Sequence, residues 1–332
     1  MSAAAFDAVG VGLWTMQSTA TAPAAPTELY ERFAEDAVLV ERLGFRSVWS
    51  AEHRAWYDGW CPALVHAQAF AAALTERVRF GHAILLVPQH DPVRLARSLA
   101  TLDRLSGGRV DLGAGLGHRD AEFDMVGLRR DRRGRLMDAA LDTLAAVWAG
   151  EHGDAPSAQR PGPPIWVGGM APQAIARAAS RGHGLMLPQT LRPHELRRIV
   201  DDYHSQADRP GTVGALRDVW VESDPRRAGE FRRKVDAHFR EEAGSWWVLK
   251  GQVGFSQPEQ MDRQLARIYD TEVVGPPEQV AQELNALYAA GVEFLVLRVN
   301  FDFVEGGELR EKLHALAEDV VPLLEPAAAR AA

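Results

Sequence analysis

The stretch HDPVRLARSLATLDRLSGGRVDLGAGLG, His90–Gly117, decides the fold. Pro92 suits the first turn of a helix, and apolar residues recur after it at helical spacing. The glycine pair Gly107–Gly108 ends this helix, and the following run Arg109–Ala114 predicts a buried strand. A helix followed directly by a buried strand is the repeating unit of a parallel α/β sheet.

The same alternation continues on both sides of this stretch. Strands are predicted at Ala8–Trp14, Arg46–Ser50, Val78–Val87, Arg109–Ala114, Pro164–Gly168, Gly184–Leu187, Leu216–Glu222 and Val292–Val299. Helices are predicted at Leu29–Leu43, from Pro92, and at Arg135–Trp148, Pro172–Ser180 and Leu309–Leu324. Eight such units predict an α/β fold of the (β/α)8 TIM-barrel type, although an open doubly wound sheet shows the same alternation. The long stretches 150–163 and 223–272 predict insertions at the C-terminal rim.

Composition narrows the function classes. The chain has 332 residues and a formal net charge of −8, which gives no support for nucleic-acid binding. Its single cysteine, Cys61, excludes an internal disulfide and suits the reducing cytoplasm. There is no apolar run long enough for a membrane span, and the N-terminus lacks the basic region of a signal peptide. We therefore expect a cytoplasmic enzyme, with one domain over residues 1–332 because no composition shift or repeat divides the chain.

Four blocks resemble one family. They are SVWSAEHR (Ser47–Arg54), the stretch quoted above, PPIWVGGMAPQAIARAASRG (Pro163–Gly182) and VVGPPEQVAQELNALYAAGVEFLVLRVNF (Val273–Phe301). In this order they are similar to the luciferase-like flavin-dependent monooxygenases and cover most of the chain. The resemblance implies a TIM barrel with a flavin at its C-terminal mouth, a homodimer, and a separate reductase that supplies reduced FMN. It also implies oxygenation of a small organic substrate through a flavin hydroperoxide.

The candidate catalytic residues are Glu52, His53 and His118. Glu52 and His53 follow the second strand, where barrel enzymes place catalytic side chains. An imidazole exchanges protons near pH 7, and the resemblance places His53 beside the flavin ring. A surface or structural histidine is the alternative. Arg54 replaces the family's second histidine and is expected to hold an anionic substrate or a neighbouring carboxylate.

The candidate cofactor residues follow strands three, four and five. They are Ala83, Ile84, Gly115, Leu116, His118, Gly168, Gly169, Met170 and Ala171. The resemblance implies a non-proline cis peptide at Ala83–Ile84. The glycines allow close backbone approach, and the helix start after strand five suits a phosphate; plain strand-to-helix turns are the alternative. Leu116 stands where many FMN-using relatives have an arginine, and His118 and Arg119 are expected to replace its phosphate contact.

The identity of the flavin stays open. The G-G-x-x-P pattern at Gly168–Pro172 also resembles the deazaflavin-dependent branch of the family, which transfers hydride and does not use oxygen. That branch usually has an Asp-His pair where this chain has Glu52 and His53. The His90-Asp91-Pro92 block also favours FMN, and deazaflavin remains the alternative cofactor.

The candidate substrate residues are mostly aromatic or basic. They are Trp14, Arg54, Trp56, Tyr57, Gln189 and Arg298, and further candidates are Trp60, Thr190, Trp246, Trp247 and Asn300. Large aromatic faces suit a cavity for an aromatic or long-chain substrate. Core packing is the alternative, and we expect it for Trp49. The sequence does not name the substrate.

Two other functions are weighed. A metal-dependent hydrolase would use His53, His82, His118 and Asp120, but the chain has no closely spaced histidine ligand pair. We therefore expect no metal. A non-catalytic protein that binds flavin would share the fold and the cofactor residues, and it would lack turnover.

Overall fold

The computed structural model describes residues 3–14, 16, 24–53, 61–151, 153, 156–238 and 258–326. Its strands are β1 Val9–Gly12, β2 Ser47–Ser50, β3 Arg79–His82, β4 Val110–Ala114, β5 Ile165–Gly168, β6 Gly184–Leu187, β7 Val213–Val221, β8 Val273–Gly275 and β9 Phe294–Arg298. Its α-helices are α1 Ala3–Asp7, α2 Pro26–Arg42, α3 Leu64–Ala72, α4 Pro92–Leu105, α5 Asp120–Met125, α6 Arg133–Ala149, α7 Pro172–Arg181, α8 Pro193–Gln206, α9 Pro225–Ala237, α10 Pro258–Tyr269, α11 Pro277–Ala289 and α12 Gly306–Ala315.

The sheet closes into a barrel. The strand order is β6-β5-β4-β3-β2-β1-β9-β7, and a further pairing of β6 with β7 completes the ring. The pairings are all parallel, as the alternation of helices and strands requires. The short strand β8 pairs with the far end of β7, where Val219 lies opposite Val273. The predicted (β/α)8 barrel is therefore confirmed.

Three predicted boundaries were wrong. Strand β3 ends at His82, because the apolar residues after it are buried in a turn that includes the short helix Val87–Gln89. Strand β7 begins at Val213, three residues before the prediction, since Gly214 and Ala215 carry a weak strand signal. The last helix, predicted to reach Leu324, ends at Ala315 as α12. The chain after it forms a π turn and then a 3₁₀ turn.

The prediction that the stretch 150–163 lies at the C-terminal rim was wrong, because its described part connects α6 to the N-terminal end of β5, at the other end of the barrel. The long stretch 223–272 was predicted only as an insertion. Its described part contains α9 and α10, which precede β8.

Indole rings fill the barrel interior. Trp49 and Trp166 meet edge to face with ring centroids 5.7 Å apart, and Phe294 lies 5.6 Å from Trp166. Neighbouring strands contribute glycines because a larger residue does not fit: a Cβ at Gly81 would lie 2.3 Å from Trp49. The expectation that Trp49 packs in the core is confirmed. No helix in the described part of the chain combines the length and apolar character that crossing a membrane requires.

Candidate active site at the C-terminal mouth

The C-terminal ends of the strands bring two predicted histidines together. His53 follows β2 and His118 follows β4, so parallel pairing places them at the same end of the barrel. Their ring centroids lie 6.2 Å apart with an interplanar angle of 86°. The mouth therefore holds both candidate imidazoles within reach of one bound molecule.

A buried carboxylate holds His53. Nδ1 of His53 lies 2.9 Å from Oε1 of Glu122, whose side chain has no exposed surface. The Arg119 guanidinium lies 3.3 Å from the same oxygen and stabilises it as a charged acceptor. We therefore assign the proton of His53 to Nδ1, which leaves Nε2 as the basic nitrogen. Arg119 precedes α5 and Glu122 lies in its first turn, so the two residues are about one turn apart. This one short segment therefore supplies both groups that orient the His53 ring.

His118 is neutral at pH 7. Although its ring is exposed, the surrounding walls of the mouth disfavour the charged form, and repulsion from His53 adds to this effect. Together these causes lower the pKa of His118 to about 4. At neutral pH His118 thus offers an uncharged imidazole that accepts or donates a hydrogen bond.

Glu52 contacts the turn after β3. Its side chain is 1% exposed, and Oε1 accepts hydrogen bonds from the Leu86 backbone N–H and from Nε2 of His90, both at 2.8 Å. These contacts hold the segment that carries Ile84 at the mouth. The geometry favours a positioning role for Glu52, and its predicted catalytic role stays a prediction.

An isoleucine forms an apolar floor beside the two glycine turns. The peptide bond Ala83–Ile84 is cis, as the family resemblance implies. A Cβ at Gly115 would lie 1.7 Å from Cδ1 of Ile84, and one at Gly168 would lie 3.0 Å from it. Ile84 itself remains partly exposed. The glycines therefore admit the Ile84 side chain, which offers an apolar surface at the mouth. Leu116 packs on the core nearby.

The start of α7 offers backbone donors. Gly169 has a φ of +138°, a conformation that favours glycine, and Pro172 opens the helix without a side-chain cap. Met170 is 48% exposed, and the N–H groups of Met170 and Ala171 donate to no group in the described residues. Unpaired N–H groups at a helix N-terminus suit a phosphate. The predicted segment Gly168–Ala171 thus fits the anionic part of a flavin nucleotide.

One expectation about the phosphate is wrong. Arg119 was expected to replace the arginine missing at Leu116, but its side chain is buried and pairs with Glu122. The guanidinium is therefore held inside the protein by its contact with Glu122. His118 remains at the mouth.

Two predicted substrate residues lie in a buried cluster. The Arg298 guanidinium lies 2.5 Å from Asp218 and 5.4 Å from the centre of the Trp14 ring. Both Trp14 and Arg298 are buried. At Gln189, the backbone carbonyl accepts a hydrogen bond of 2.6 Å from the buried side chain of Arg217, which fixes the turn after β6. These contacts hold Trp14, Arg298 and Gln189 in place, and the substrate roles of these residues stay predictions.

Six other predicted substrate residues lie outside the described residues. These are Arg54, Trp56, Tyr57, Trp60, Trp246 and Trp247.

The residues of the metal alternative are engaged elsewhere. Nδ1 of the buried His82 lies 2.9 Å from the backbone carbonyl of Asp111, and Asp120 pairs with Arg130 at 2.6 Å. Within the described ranges, no group of three or more histidine, cysteine or acidic residues is arranged to hold a metal ion.

Sequence reasoning missed Glu122, Arg119 in its observed role, and His90. A signal was present for the first two, because His118, Arg119 and Glu122 follow a glycine turn at helical spacing. Nothing in the sequence shows that Glu122 reaches His53, which is 69 positions earlier. That contact depends on the packing of α5 over the mouth.

Comparison with known families decides the class. The family model described as luciferase-like monooxygenase matches residues 9–293. The chain belongs to the luciferase-like monooxygenase family. The predicted family is therefore confirmed, and the match covers the barrel from β1 to the residue before β9.

Two relatives show the range of similarity. The oxygenase component of a flavin-dependent trigonelline monooxygenase from Acinetobacter baylyi is 24% identical over 297 residues, covering 80% of this chain and 82% of that protein. An uncharacterised protein of Sinorhizobium fredii is 30% identical over 167 residues, covering 46% of this chain. The latter match spans about half of that relative's length, 48%.

Solved structures share the fold. A monooxygenase from Streptomyces bottropensis superimposes with a TM-score of 0.81 at 23% identity, covering 95% of this chain and 98% of that one. The oxygenating constituent of 3,6-diketocamphane monooxygenase from Pseudomonas putida, a type II Baeyer–Villiger enzyme solved with FMN, gives 0.78 at 17% identity, covering 96% and 99%. An F420-dependent secondary alcohol dehydrogenase gives 0.70 at 17% identity, covering 96% and 98%.

Proposed function

We propose that this chain is the oxygenase component of a two-component flavin-dependent monooxygenase. It takes reduced FMN from a separate reductase and uses molecular oxygen to oxygenate a small organic substrate. The observation that carries the proposal is the mouth histidine His53, held by the buried Glu122. The trigonelline relative, described as an oxygenase component, supports the two-component arrangement. We further propose a cytoplasmic homodimer, with one domain per chain.

The mouth fits a flavin nucleotide. The partly exposed Ile84 provides an apolar surface for the ring, and the N–H groups of Met170 and Ala171 provide donors for the phosphate. Gly115 and Gly168 are the glycine positions that bring the backbone of β4 and β5 against this surface. When bound, reduced FMN would supply the electrons that activate oxygen.

The protein's own residues manage protons and position. Glu122 accepts from Nδ1 of His53, so Nε2 takes or returns one proton at the reacting face. Arg119 pairs with Glu122, and Glu52 fixes the turn that carries Ile84. The neutral His118 offers a second hydrogen-bonding group across the mouth.

A deazaflavin-dependent oxidoreductase is the second candidate. It is favoured by the G-G-x-x-P segment and by the similarity of the barrel to an F420-dependent alcohol dehydrogenase. FMN is the stronger proposal because Glu52 replaces the aspartate usual in the deazaflavin branch and because the trigonelline relative aligns over most of both chains. A non-catalytic flavin-binding protein would need none of the proton-handling arrangement around His53.

Isotope labelling tests the function. The protein would be mixed with an FMN reductase, NADH, ¹⁸O₂ and a panel of aromatic, terpenoid and ketone substrates, and products would be analysed by mass spectrometry. The proposal predicts incorporation of one ¹⁸O atom into a product, with strong loss in His53→Ala. His314→Ala is the matched control, since His314 is exposed on α12 and pairs with Glu318.

Two results would contradict this function. One is turnover of alcohols or ketones with reduced deazaflavin and no ¹⁸O incorporation, which would establish the second candidate. The other is tight flavin binding without turnover of any panel member, which would leave a flavin-binding protein.

A further inference from the structure

A second cavity lies at the opposite end of the barrel from His53. It has a volume of about 430 Å³, within the range of small-molecule sites. Its walls come from the N-terminal ends of β5, β6 and β7 and from the last turns of α6 and α7. We call it the base cavity. Barrel enzymes carry their chemistry at the other end, so the proposed oxygenation makes no use of it.

The walls of the base cavity are largely aromatic and apolar. Trp148 and Trp166 contribute indole rings, and Pro161, Pro163 and Pro164 line the segment between them in the chain. Nε1 of Trp148 donates to the backbone carbonyl of Ala96 at 3.0 Å. Nε1 of Trp166 is buried, so this residue offers the cavity the apolar part of its ring.

Among the described residues that line the cavity, one positively charged side chain has no acidic partner. Arg181 pairs with Asp142 at 2.8 Å and with Asp138 at 3.8 Å, so its charge is compensated. Desolvation, and then repulsion from Arg181, lower the pKa of His183 to about 4, so this ring is uncharged at pH 7. Arg160 is exposed at the rim and forms no hydrogen bond or ion pair with the described residues. An anionic group is therefore the partner that this rim favours.

We propose that the base cavity binds a small aromatic carboxylate. The rings of Trp148 and Trp166 contact its aromatic part, and the Arg160 guanidinium binds its carboxylate. A planar acid of two fused rings fits within the cavity volume of about 430 Å³. This site does not depend on the proposed oxygenation, because none of its residues lies at the mouth.

Calorimetry with a matched pair of probes tests the site. The probes are 2-naphthoate and its uncharged counterpart 2-naphthamide, titrated into the full chain. We expect Arg160→Gln to weaken naphthoate binding about tenfold and to leave naphthamide binding unchanged, while Arg160→Lys recovers most of the loss. Arg226→Gln is the control, because this substitution removes the same charge at an exposed residue. Arg226 follows β7, near the opposite end of the barrel.

A cavity-filling variant fixes the location. Ala145 lines the cavity from an exposed position on α6, so Ala145→Phe occupies the space without changing the core. We expect it to abolish binding of both probes while its melting temperature stays near that of the parent chain. Naphthoate binding that is equal in the parent, Arg160→Gln and Ala145→Phe would overturn the proposal. Absence of binding to the parent at millimolar concentration would also overturn it.

Discussion

The two ends of the barrel differ in how their charged groups are paired and buried. At the mouth, Arg119, Glu122 and His53 form a connected chain of buried and half-buried polar groups. At the base, a cavity of mainly aromatic and apolar walls carries Arg160 at its rim, and this residue forms no ion pair within the described part of the chain. Polar groups are costly to bury unless they are paired, so the arrangement at the mouth costs more free energy than the apolar walls at the base. The contrast distinguishes the proposed proton-handling site at the mouth from the proposed binding site at the base.

The largest effect is expected from removing the mouth imidazole. His53→Ala should lower the rate of oxygenation by about 10²- to 10³-fold, because proton transfer at the reacting face is lost. Stopped-flow and steady-state turnover would measure it, with His314→Ala as control. A loss below twofold would remove His53 from the mechanism and weaken the contrast between the two ends.

The next effect concerns the carboxylate behind the imidazole. Glu122→Gln preserves shape but leaves the Arg119 charge buried without its partner, so we expect the free energy of unfolding to fall by about 3 kcal/mol. Turnover should also fall at least about tenfold, since the His53 tautomer is no longer fixed. Denaturant titration and kinetics would measure both. Asp142→Asn is the matched control at the base, where Asp142 is exposed and the pair is expected to contribute about 0–1 kcal/mol.

A smaller effect tests the floor of the mouth. Gly115→Ala places a methyl group where Cδ1 of Ile84 lies, and we expect a loss of about 1–3 kcal/mol in stability. Ile84→Ala in the same chain removes the clash. The double variant should therefore be more stable than the sum of the single effects by at least about 0.5 kcal/mol. Strict additivity in thermal unfolding would show that the two residues do not share this space.

The smallest effect compares a histidine at each end by pH. Both His118 and His183 have a pKa lowered to about 4, so the unfolded chain binds protons more readily than the folded chain. Their contribution to stability is full above about pH 6.5 and is lost as the pH falls towards about 4. His183→Gln should reduce the loss of unfolding free energy between pH 7 and pH 5 by about 1 kcal/mol. His118→Gln should reduce this loss of unfolding free energy by a smaller amount, because the His118 ring is exposed. A larger reduction in His118→Gln than in His183→Gln would contradict the contrast between the two ends.

Most of the fold could be predicted from the sequence. Alternating helical and strand patterns gave the barrel because each pattern is local and is repeated many times. The errors fell where local signals are weak: Gly214 and Ala215 at the start of β7, and the buried turn after His82 that reads as a continued strand. Strand β8 was missed because it is three residues long.

The site could be predicted only in part. His53, His118 and the glycine turns follow from their positions at strand ends. The contact between His53 and Glu122, and the burial of Arg119, depend on how α5 packs over the mouth. The base cavity likewise joins residues from distant segments, and no local pattern indicates a space between them.

The most direct test of the central claim is an anaerobic titration of the apoprotein with reduced FMN and, separately, with reduced F420 deazaflavin. The mouth described above predicts that reduced FMN binds at least about tenfold more tightly, a difference of 1.4 kcal/mol, and that binding is weakened by Gly169→Ala at the start of α7. Tighter binding of the deazaflavin would contradict the account and make this chain a hydride-transfer enzyme on the same barrel.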